Sequence, residues 1–413
     1  MRFFDGSWCF LQKYLLIAAL SSYLTGKFIH YLLKEHPEKK WNEIVGIGAI
    51  CTNEIVLGNI VLVNPRYLKL FYLCSVLGSL VIGIGIDSIK RKWMLYFSLI
   101  IFFLFSFISV YPPLFTGIIL PAILLPVSLA MLALFGNTSI IGRAILLDAH
   151  VQALSKNRSQ GRTLMAKSVA FEALIWIWIG AVSCTFHLSV KYFLLVGVVL
   201  SFIFIVLSRY VTEKTHSHIS HIGIEEVLKK LKRVFLLGAP FYLFLICVSL
   251  VEVGCFAFFL SLERRAPTHM QIQHDLCASI SMYLGCLLCQ NKIFRNFGDG
   301  LLVISGLSIS IAGLIIYLVI QTHTQIVNNI SFSLVGFGSG LLLPCFYSIN
   351  ISFKGIQFCG LLIGMIDLIR TMGEWFGFLL SKINPHLITL LSAIIFFFTL
   401  LLFNNMLKNR KKG

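Results

Sequence analysis

Apolar stretches of about twenty residues recur along this chain, and they constrain its fold more than any other feature. A helix of about twenty residues crosses the hydrocarbon core of a bilayer, which is roughly 30 Å thick. Hydrophobic residues make up 58% of the chain and charged residues only 12%, about half the charged share of a soluble domain. Because backbone groups in lipid must be hydrogen-bonded within their own segment, we expect the spans to be helices. The sequence therefore predicts an all-α, polytopic membrane protein.

Twelve spans are predicted, six on each side of a basic central segment. We place them at 43–63, 68–87, 94–111, 118–148, 168–187, 191–208, 234–260, 275–290, 299–320, 327–350, 355–381 and 386–407. The stretch 118–148 is too long for one crossing, so we expect part of it to project from the membrane. The resulting domains are an N-terminal segment (1–41), a six-helix bundle (42–208), a basic linker (209–233), a second six-helix bundle (234–407) and a basic tail (408–413).

The net charge of +17 is distributed along the chain in a way that argues for a membrane protein and against a nucleic-acid partner. Lys and Arg lie in short segments between apolar runs rather than on one face of a domain. With both termini in the cytoplasm, 26 of them fall in inner segments and 6 in outer segments. This positive-inside bias predicts the orientation of the spans.

The apolar stretch at 8–33 has two interpretations. Its polar residues Lys13, Lys27, His30 and Lys34 fall on one side of a helix, which favours an amphipathic helix lying on the inner membrane surface. The alternative is a thirteenth span, which would place the N-terminus outside. Both interpretations remain open at the level of sequence.

An internal repeat supports a chain of two related halves. The segment FGNTSIIGRAILLD (Phe135–Asp148) aligns without gaps with FGSGLLLPCFYSIN (Phe337–Asn350), at an offset of 202 residues, about half the chain. Two related halves with a binding site between them are a common plan among secondary transporters.

The loop after the second predicted span carries a motif of a known family. It reads GIGIDSIKRK, and its Gly83, Asp87, Arg91 and Lys92 resemble the signature loop G-x-x-x-D-x-x-G-[RK]-[RK] of the major facilitator superfamily. Lys90 stands where that motif has Gly. The resemblance implies two six-helix bundles that alternate between conformations, with the Asp clamping the neighbouring bundle through a helix N-terminus or an Arg. Span five lacks the Gly-Pro motif of the proton-driven drug exporters in this family.

Ionisable residues inside predicted spans are costly in lipid and are therefore candidates for substrate binding or proton coupling. They are Glu54, Arg143, Glu172, Glu252, Asp367, Arg370 and Glu374. Asp367, Arg370 and Glu374 share one helical face, so Arg370 is expected to pair with either acid. The alternative for this face is a structural ion pair, and the alternative for Arg143 is a side chain that reaches the membrane surface.

These features predict a secondary active transporter rather than an enzyme. The leading hypothesis is ion-coupled uptake, with protons as the coupling ion, of a small polar or anionic organic solute such as an amino acid, an organic acid or a polycarboxylate iron chelator. Arg143 and Arg370 would then hold a carboxylate. The alternatives are proton-driven export of drugs or metabolites, a channel, or a membrane-embedded enzyme.

We expect a monomer in a bacterial inner membrane, with both termini cytoplasmic. The expected partners are the solute, the coupling ion and lipid. Neither a cofactor nor a metal is expected.

Overall fold

A computed structural model describes most of the chain, and every regular element within the described residues is helical. We number the helices α1 to α13 in chain order. The described residues are 37–63, 68–110, 121–150, 159–186, 190–212, 229, 232–234, 236–263, 268–291, 294, 297–320, 324–353 and 359–410.

Within the described residues, seven helices belong to the first half of the chain and six to the second. Those of the first half are α1 (Pro37–Val63), α2 (Leu68–Ser88), α3 (Arg91–Val110), α4 (Pro121–Phe135), α5 (Thr138–Ala149), α6 (Ser159–Phe186) and α7 (Val190–Leu207), followed by a 3-10 turn at Ser208–Tyr210. Those of the second half are α8 (Ala239–Glu263), α9 (Thr268–Gln290), α10 (Asp299–Val319), α11 (Gln325–Ser352), α12 (Cys359–Leu380) and α13 (Pro385–Arg410).

The length and apolar character of the helices agree with a membrane location. Within the described residues, nine helical segments are long and apolar enough to cross a membrane. Large apolar side chains lie on the outer surface, where Phe202 is 57% exposed and Phe398 is 58% exposed, and lipid is the medium that such a surface requires. The prediction of an all-α, polytopic membrane protein is confirmed.

The two halves are built alike. The α4–α5 segment packs on α1, α2 and α3, and its counterpart α11 packs on α8, α9 and α10. The halves meet where α2 packs on α12 and where α6 packs on α9 and α11. The segments of the internal repeat thus occupy corresponding places, each against the first three spans of its own half.

The fourth span is broken rather than continuous, which corrects the single span predicted at 118–148. Helix α4 ends at Phe135, α5 begins at Thr138, and the backbone N–H of Thr138 donates to the carbonyl oxygen of Gly136 at 2.7 Å. The Thr138 hydroxyl donates to the carbonyl oxygen of Ala49 in α1 at 2.7 Å. All twelve residues of α5 are buried, so this helix lies inside the bundle and does not project from it.

Helices α1 and α5 cross closely because both have glycine at the crossing. A Cβ placed on Gly46 would lie 2.9 Å from the carbonyl oxygen of Gly142, and one on Gly142 would lie 2.3 Å from that of Gly46. Small residues allow membrane helices to approach to backbone contact. This crossing fixes the position of α5, which carries Arg143 one residue further on.

Several helix ends differ from the predicted boundaries. The helix of the fifth span begins at Ser159 rather than 168, and α13 continues to Arg410, into the predicted tail. The stretch 8–33 and most of the predicted linker 209–233 lie outside the described residues. The choice between a surface helix and an extra span therefore stays open, and the domain boundaries stay predictions.

Candidate functional site

All seven ionisable residues singled out from the sequence line one cavity between the two halves. The cavity has a volume of about 390 Å³. Helices α1, α5 and α6 of the first half and α8 and α12 of the second contribute the charged side chains, which are Glu54, Arg143, Glu172, Glu252, Asp367, Arg370 and Glu374. Residues up to 320 apart in sequence thus converge on one site in the core of the bundle.

Arg143 forms two ion pairs, and the one with Asp367 links the two halves. Its guanidinium lies 3.1 Å from Oδ2 of Asp367 in α12 and pairs with Glu172 in α6. It also donates to the hydroxyl of Ser139 at 3.1 Å and lies over the ring of Tyr347, 4.7 Å from its centroid. Arg143 is only 1% exposed, so the alternative that its side chain reaches the membrane surface is wrong.

Arg370 forms a second group of contacts beside the first. Its Nε lies 3.3 Å from Oε1 of Glu252 in α8, and one of its terminal nitrogens donates to the hydroxyl of Tyr347 at 3.0 Å. The Tyr347 hydroxyl in turn donates to Asp367. Tyr347 therefore connects Arg370 to the carboxylate that Arg143 also holds.

Arg370 pairs with one of the two acids expected on α12 and has a closer partner on another helix. Asp367, three residues earlier, lies 3.9 Å from Arg370, but its closer guanidinium is that of Arg143. The main partner of Arg370 is Glu252, which lies on another helix. Glu374, the other acid on this face, has no hydrogen-bond or ion-pair partner among the described residues.

Glu54 is the second cavity acid that no arginine holds in this structure. Its Oε2 accepts a hydrogen bond from the indole N–H of Trp176 at 3.3 Å, and its Oε1 accepts one from the side-chain amide of Asn53 at 3.4 Å. Trp176 follows Glu172 by one helical turn in α6, which places both side chains on the face toward the cavity.

Polar and aromatic side chains complete the cavity wall. Those of the first half are Asn53, Phe71, Tyr72, Ser75, Asn137, Ser139 and Trp176, and those of the second half include Cys255, Phe256, Phe259, Met282, Ser339 and Thr371. Apolar and aromatic walls with a few polar groups are typical of sites that bind small molecules.

Asp87 of the signature-like loop contacts the other half at the end of α2. Its two carboxylate oxygens accept hydrogen bonds from the backbone N–H groups of Gly360 at 3.0 Å and Leu361 at 2.8 Å, in the first turn of α12. A carboxylate in this position satisfies free N–H groups and interacts favourably with the helix dipole. We call this end of the helices, where α2 ends and α12 begins, the Asp87 end.

Gly83 allows α2 and α12 to meet closely at the Asp87 end. A Cβ on Gly83 would lie 2.8 Å from the carbonyl oxygen of Gly360 and 3.2 Å from the Cα of Gly364. Any larger residue would push the two helices apart.

Arg91 and Lys92 lie at the start of α3, at the same end. Arg91 is 1% exposed, pairs with Asp148 at 3.3 Å and donates to the sulfur of Cys359 at 3.1 Å, which again joins the two halves. Lys92 is half-buried and donates to the carbonyl oxygen of Arg209 at 2.6 Å, within its own half.

Arg162 and Asp299 form a further link between the halves. Arg162 in α6 pairs with Asp299 at the start of α10 at 2.7 Å and donates to the carbonyl oxygens of Phe294 and Phe297. The other oxygen of Asp299 accepts a hydrogen bond from Ser348 at 2.7 Å. Besides the Arg143–Asp367 pair in the cavity, several hydrogen bonds and ion pairs therefore join the halves at the Asp87 end.

The cavity lies well away from those contacts. Arg370 and Glu374 lie about 11 and 15 residues beyond the start of α12, or roughly 16 and 22 Å along the helix axis. Tyr72 lies near the start of α2, which is the opposite end of that helix from Asp87. The cavity is thus near the middle of the helices and toward the end opposite Asp87.

Comparisons with known proteins show the fold of the chain. No family model and no curated protein sequence matches it. The human organic anion transporter MFSD10 (TETRAN) is similar in structure, with a TM-score of 0.69 and 12% identity over 89% of this chain and 100% of that one. FucP, a major facilitator superfamily transporter solved in the outward conformation, has a TM-score of 0.62 and 12% identity over 89% of this chain and 97% of that one.

A third similar structure is the proton:xylose symporter XylE, with a TM-score of 0.63 and 11% identity over 88% of this chain and 94% of that one. All three are transporters of the major facilitator superfamily or have its fold, and each is covered almost completely. The chain therefore has the fold of major facilitator superfamily transporters, as the signature-like loop implied.

Two residues of the charge networks were not anticipated from the sequence. Tyr347 lies inside the repeat segment, but a tyrosine in an apolar span carries no signal of its own. Asp299 is the first residue of its helix, where an acid ordinarily stabilises the helix N-terminus. Only the packing of the folded chain gives these two side chains their partners. For Tyr347 these lie on α5 and α12, and for Asp299 they lie on α6 and α11.

Proposed function

We propose that this chain is a secondary active transporter that takes up a small polar organic solute together with protons, by alternating access. The observation that carries the proposal is the single cavity between the two halves, lined by all seven ionisable residues of the spans. Ionisable side chains are costly in a membrane core, and those that are found there ordinarily mark a binding or proton-coupling site. The proton:xylose symporter among the similar structures supports the proton as the coupling ion.

The cavity can open to one side of the membrane and then to the other, because the contacts between the halves can separate. Asp87, Arg91 and Arg162 hold the halves together at one end through hydrogen bonds and ion pairs rather than through covalent bonds. The positive-inside bias predicts that this end faces the cytoplasm, and in that orientation the inward side is closed. The structural similarity to FucP, which was solved in the outward conformation, agrees with a cavity that is closed on the inner side.

Glu374 is our candidate for the coupling proton. Among the described residues it has no hydrogen-bond or ion-pair partner, whereas Glu172, Glu252 and Asp367 are each held by an arginine. A carboxylate that no cation neutralises binds a proton more readily than one in an ion pair. The anionic solute expected from the sequence is not retained in the proposal, because Arg143 and Arg370 already hold carboxylates of the protein itself.

The test uses purified protein reconstituted into vesicles that contain a pH-sensitive dye. A panel of labelled amines, amino acids, sugars and organic acids is applied, with and without a proton gradient. We expect at least one compound to accumulate against its own gradient while protons move in the same direction. Movement of protons in the opposite direction would instead show proton-driven export, the alternative that the sequence left open.

The variant Glu374→Gln separates coupling from binding. We expect it to keep the exchange of labelled for unlabelled solute across the membrane and to lose accumulation driven by the proton gradient. The matched control is Asp275→Asn, which removes a negative charge from an exposed position outside the cavity. Wild-type accumulation in Glu374→Gln would contradict the assignment, and absence of any coupled movement in the wild type would contradict the proposed function.

A further inference from the structure

The cavity has an excess of acidic groups, which restricts the charge of what it can hold. Of the residues that line it, five carry a carboxyl group and two carry a guanidinium group, and neither Lys nor His contributes. Both guanidinium groups already lie in ion pairs with protein carboxylates. An anionic solute would meet a surplus of like charge, and a cation would reduce that surplus.

Asn53 supplies a second and independent observation. It lines the cavity and is only 7% exposed, and its side-chain N–H group donates to Glu54. Its carbonyl oxygen, Oδ1, has no hydrogen-bond donor among the described residues. A buried acceptor without a donor costs free energy, so this oxygen has an unfilled place for an N–H group.

The groups around Asn53 are suited to an ammonium ion. Glu54 offers a carboxylate, and Trp176, whose indole N–H donates to that carboxylate at 3.3 Å, places an aromatic ring beside it. An ammonium group donates hydrogen bonds to carboxylate and amide oxygens and is attracted to the face of an aromatic ring, most strongly that of Trp. Glu54, Asn53 and Trp176 all belong to the first half, on α1 and α6.

We infer that the transported solute is an organic ammonium compound whose cationic group binds at Glu54, Asn53 Oδ1 and Trp176. This inference rests on the proposed function, since it names the solute class of the same cavity. Glu374 lies on α12 in the other half and is left to carry the proton. A positively charged solute can therefore bind to the first half while Glu374 in the second half takes up the coupling proton.

The test compares three probes of one shape and different charge, which are 2-phenylethylammonium, 2-phenylethanol and phenylacetate. Smaller ammonium ions down to methylammonium, each with its alcohol and carboxylate counterpart, extend the series. Binding is measured on the purified full-length protein by the ligand-dependent rise in Tm and by titration calorimetry. We expect ammonium members of the series to bind and to bind more tightly than their counterparts.

The variant Glu54→Gln keeps the shape of the side chain and removes its charge. We expect it to weaken ammonium binding by roughly tenfold to a hundredfold, the usual range for a hydrogen bond to a charged group. Asn53→Ala should weaken it by a smaller factor, and Asp275→Asn, the exposed control, should leave it unchanged. The Tm of each variant without ligand shows whether the variant is folded.

Three results would overturn the inference. They are tighter binding of a carboxylate or alcohol than of its ammonium counterpart, binding by no ammonium member of the series, and wild-type ammonium affinity in folded Glu54→Gln. Proton-coupled movement of phenylacetate in the vesicle assay would leave the proposed function standing and sink the inference alone. Absence of coupled movement with every compound would sink the proposed function, whatever the binding data show.

Discussion

Replacing Arg143 by Gln should destabilise this protein more than replacing any one of the acids that Arg143 and Arg370 hold. Arg143 is 1% exposed and has two acidic partners, Glu172 and Asp367. At 3.1 Å and an effective dielectric constant of about 20, attraction between unit charges is worth about 5 kcal/mol before the cost of desolvation. Removing one member of a buried ion pair costs roughly 3–5 kcal/mol in measured cases, because the remaining charge stays buried without a partner.

The acids are expected to be less sensitive because the network gives each arginine a second partner. In Glu172→Gln, Arg143 keeps Asp367, and in Asp367→Asn it keeps Glu172. The double variant Arg143→Gln with Glu172→Gln removes one charge of each sign and leaves Asp367 near Arg370. It should therefore recover a large part of the stability that Arg143→Gln loses.

The assay is thermal unfolding of purified protein without solute. With an unfolding entropy of roughly 2.1 cal/mol/K per residue, a loss of 3–5 kcal/mol lowers the Tm of a chain of this length by roughly 4–6 °C. The matched control is Arg209→Gln, the same substitution at an exposed position. The hydrogen bond that Lys92 donates to Arg209 goes to the backbone carbonyl oxygen, which this substitution keeps. A Tm for Arg143→Gln equal to that of the control, or a double variant less stable than Arg143→Gln, would refute the reasoning.

Two further changes test the Asp87 end. Asp87→Asn should weaken the contact with the first turn of α12. We expect turnover in reconstituted protein to slow severalfold, while the solute affinity measured by calorimetry stays within about twofold. Unchanged turnover would count against the contact. Gly83→Val should keep α2 and α12 apart and abolish transport. A buried cysteine such as Cys359 should then become reactive to a thiol reagent. Wild-type transport rates in this variant would show that the close approach is dispensable.

The fold was largely predictable because membrane spans follow from local properties of the chain. Twenty apolar residues must form a helix in lipid wherever they occur, and the repeat of Phe135–Asp148 at Phe337–Asn350 pointed to two halves. The break at Gly136 was not predicted, although Gly followed by Asn inside an apolar run is a visible signal. The length of that stretch was instead explained by a projection from the membrane, whereas the structure divides it into α4 and α5 and buries all of α5 inside the bundle.

The residues of the site were predictable, and their pairing was predictable only in part, since Arg370 does pair with Asp367 at 3.9 Å. A charge in a span is conspicuous in the sequence, so all seven residues of the cavity could be selected in advance. Helical spacing suggested that Arg370 pairs within α12, yet Glu252 of α8 is its closer partner. Which helices approach one another is decided by tertiary packing, here by glycine crossings such as that of Gly46 with Gly142, and a single sequence does not contain that information in local form.

The contacts at the Asp87 end also determine how strong the contacts on the opposite side of the membrane have to be. Opening this end breaks the hydrogen bonds from Gly360 and Leu361 to Asp87 and the ion pair between Arg162 and Asp299. Hydrogen bonds to charged groups contribute about 1.5–3 kcal/mol each, so the sum is large compared with thermal energy. Two conformations interconvert during a transport cycle only when they differ by a few kcal/mol. The outer ends of the helices must therefore form contacts of similar total strength when the inner ends part, and a substitution there changes the resting conformation of a protein whose solute site is intact.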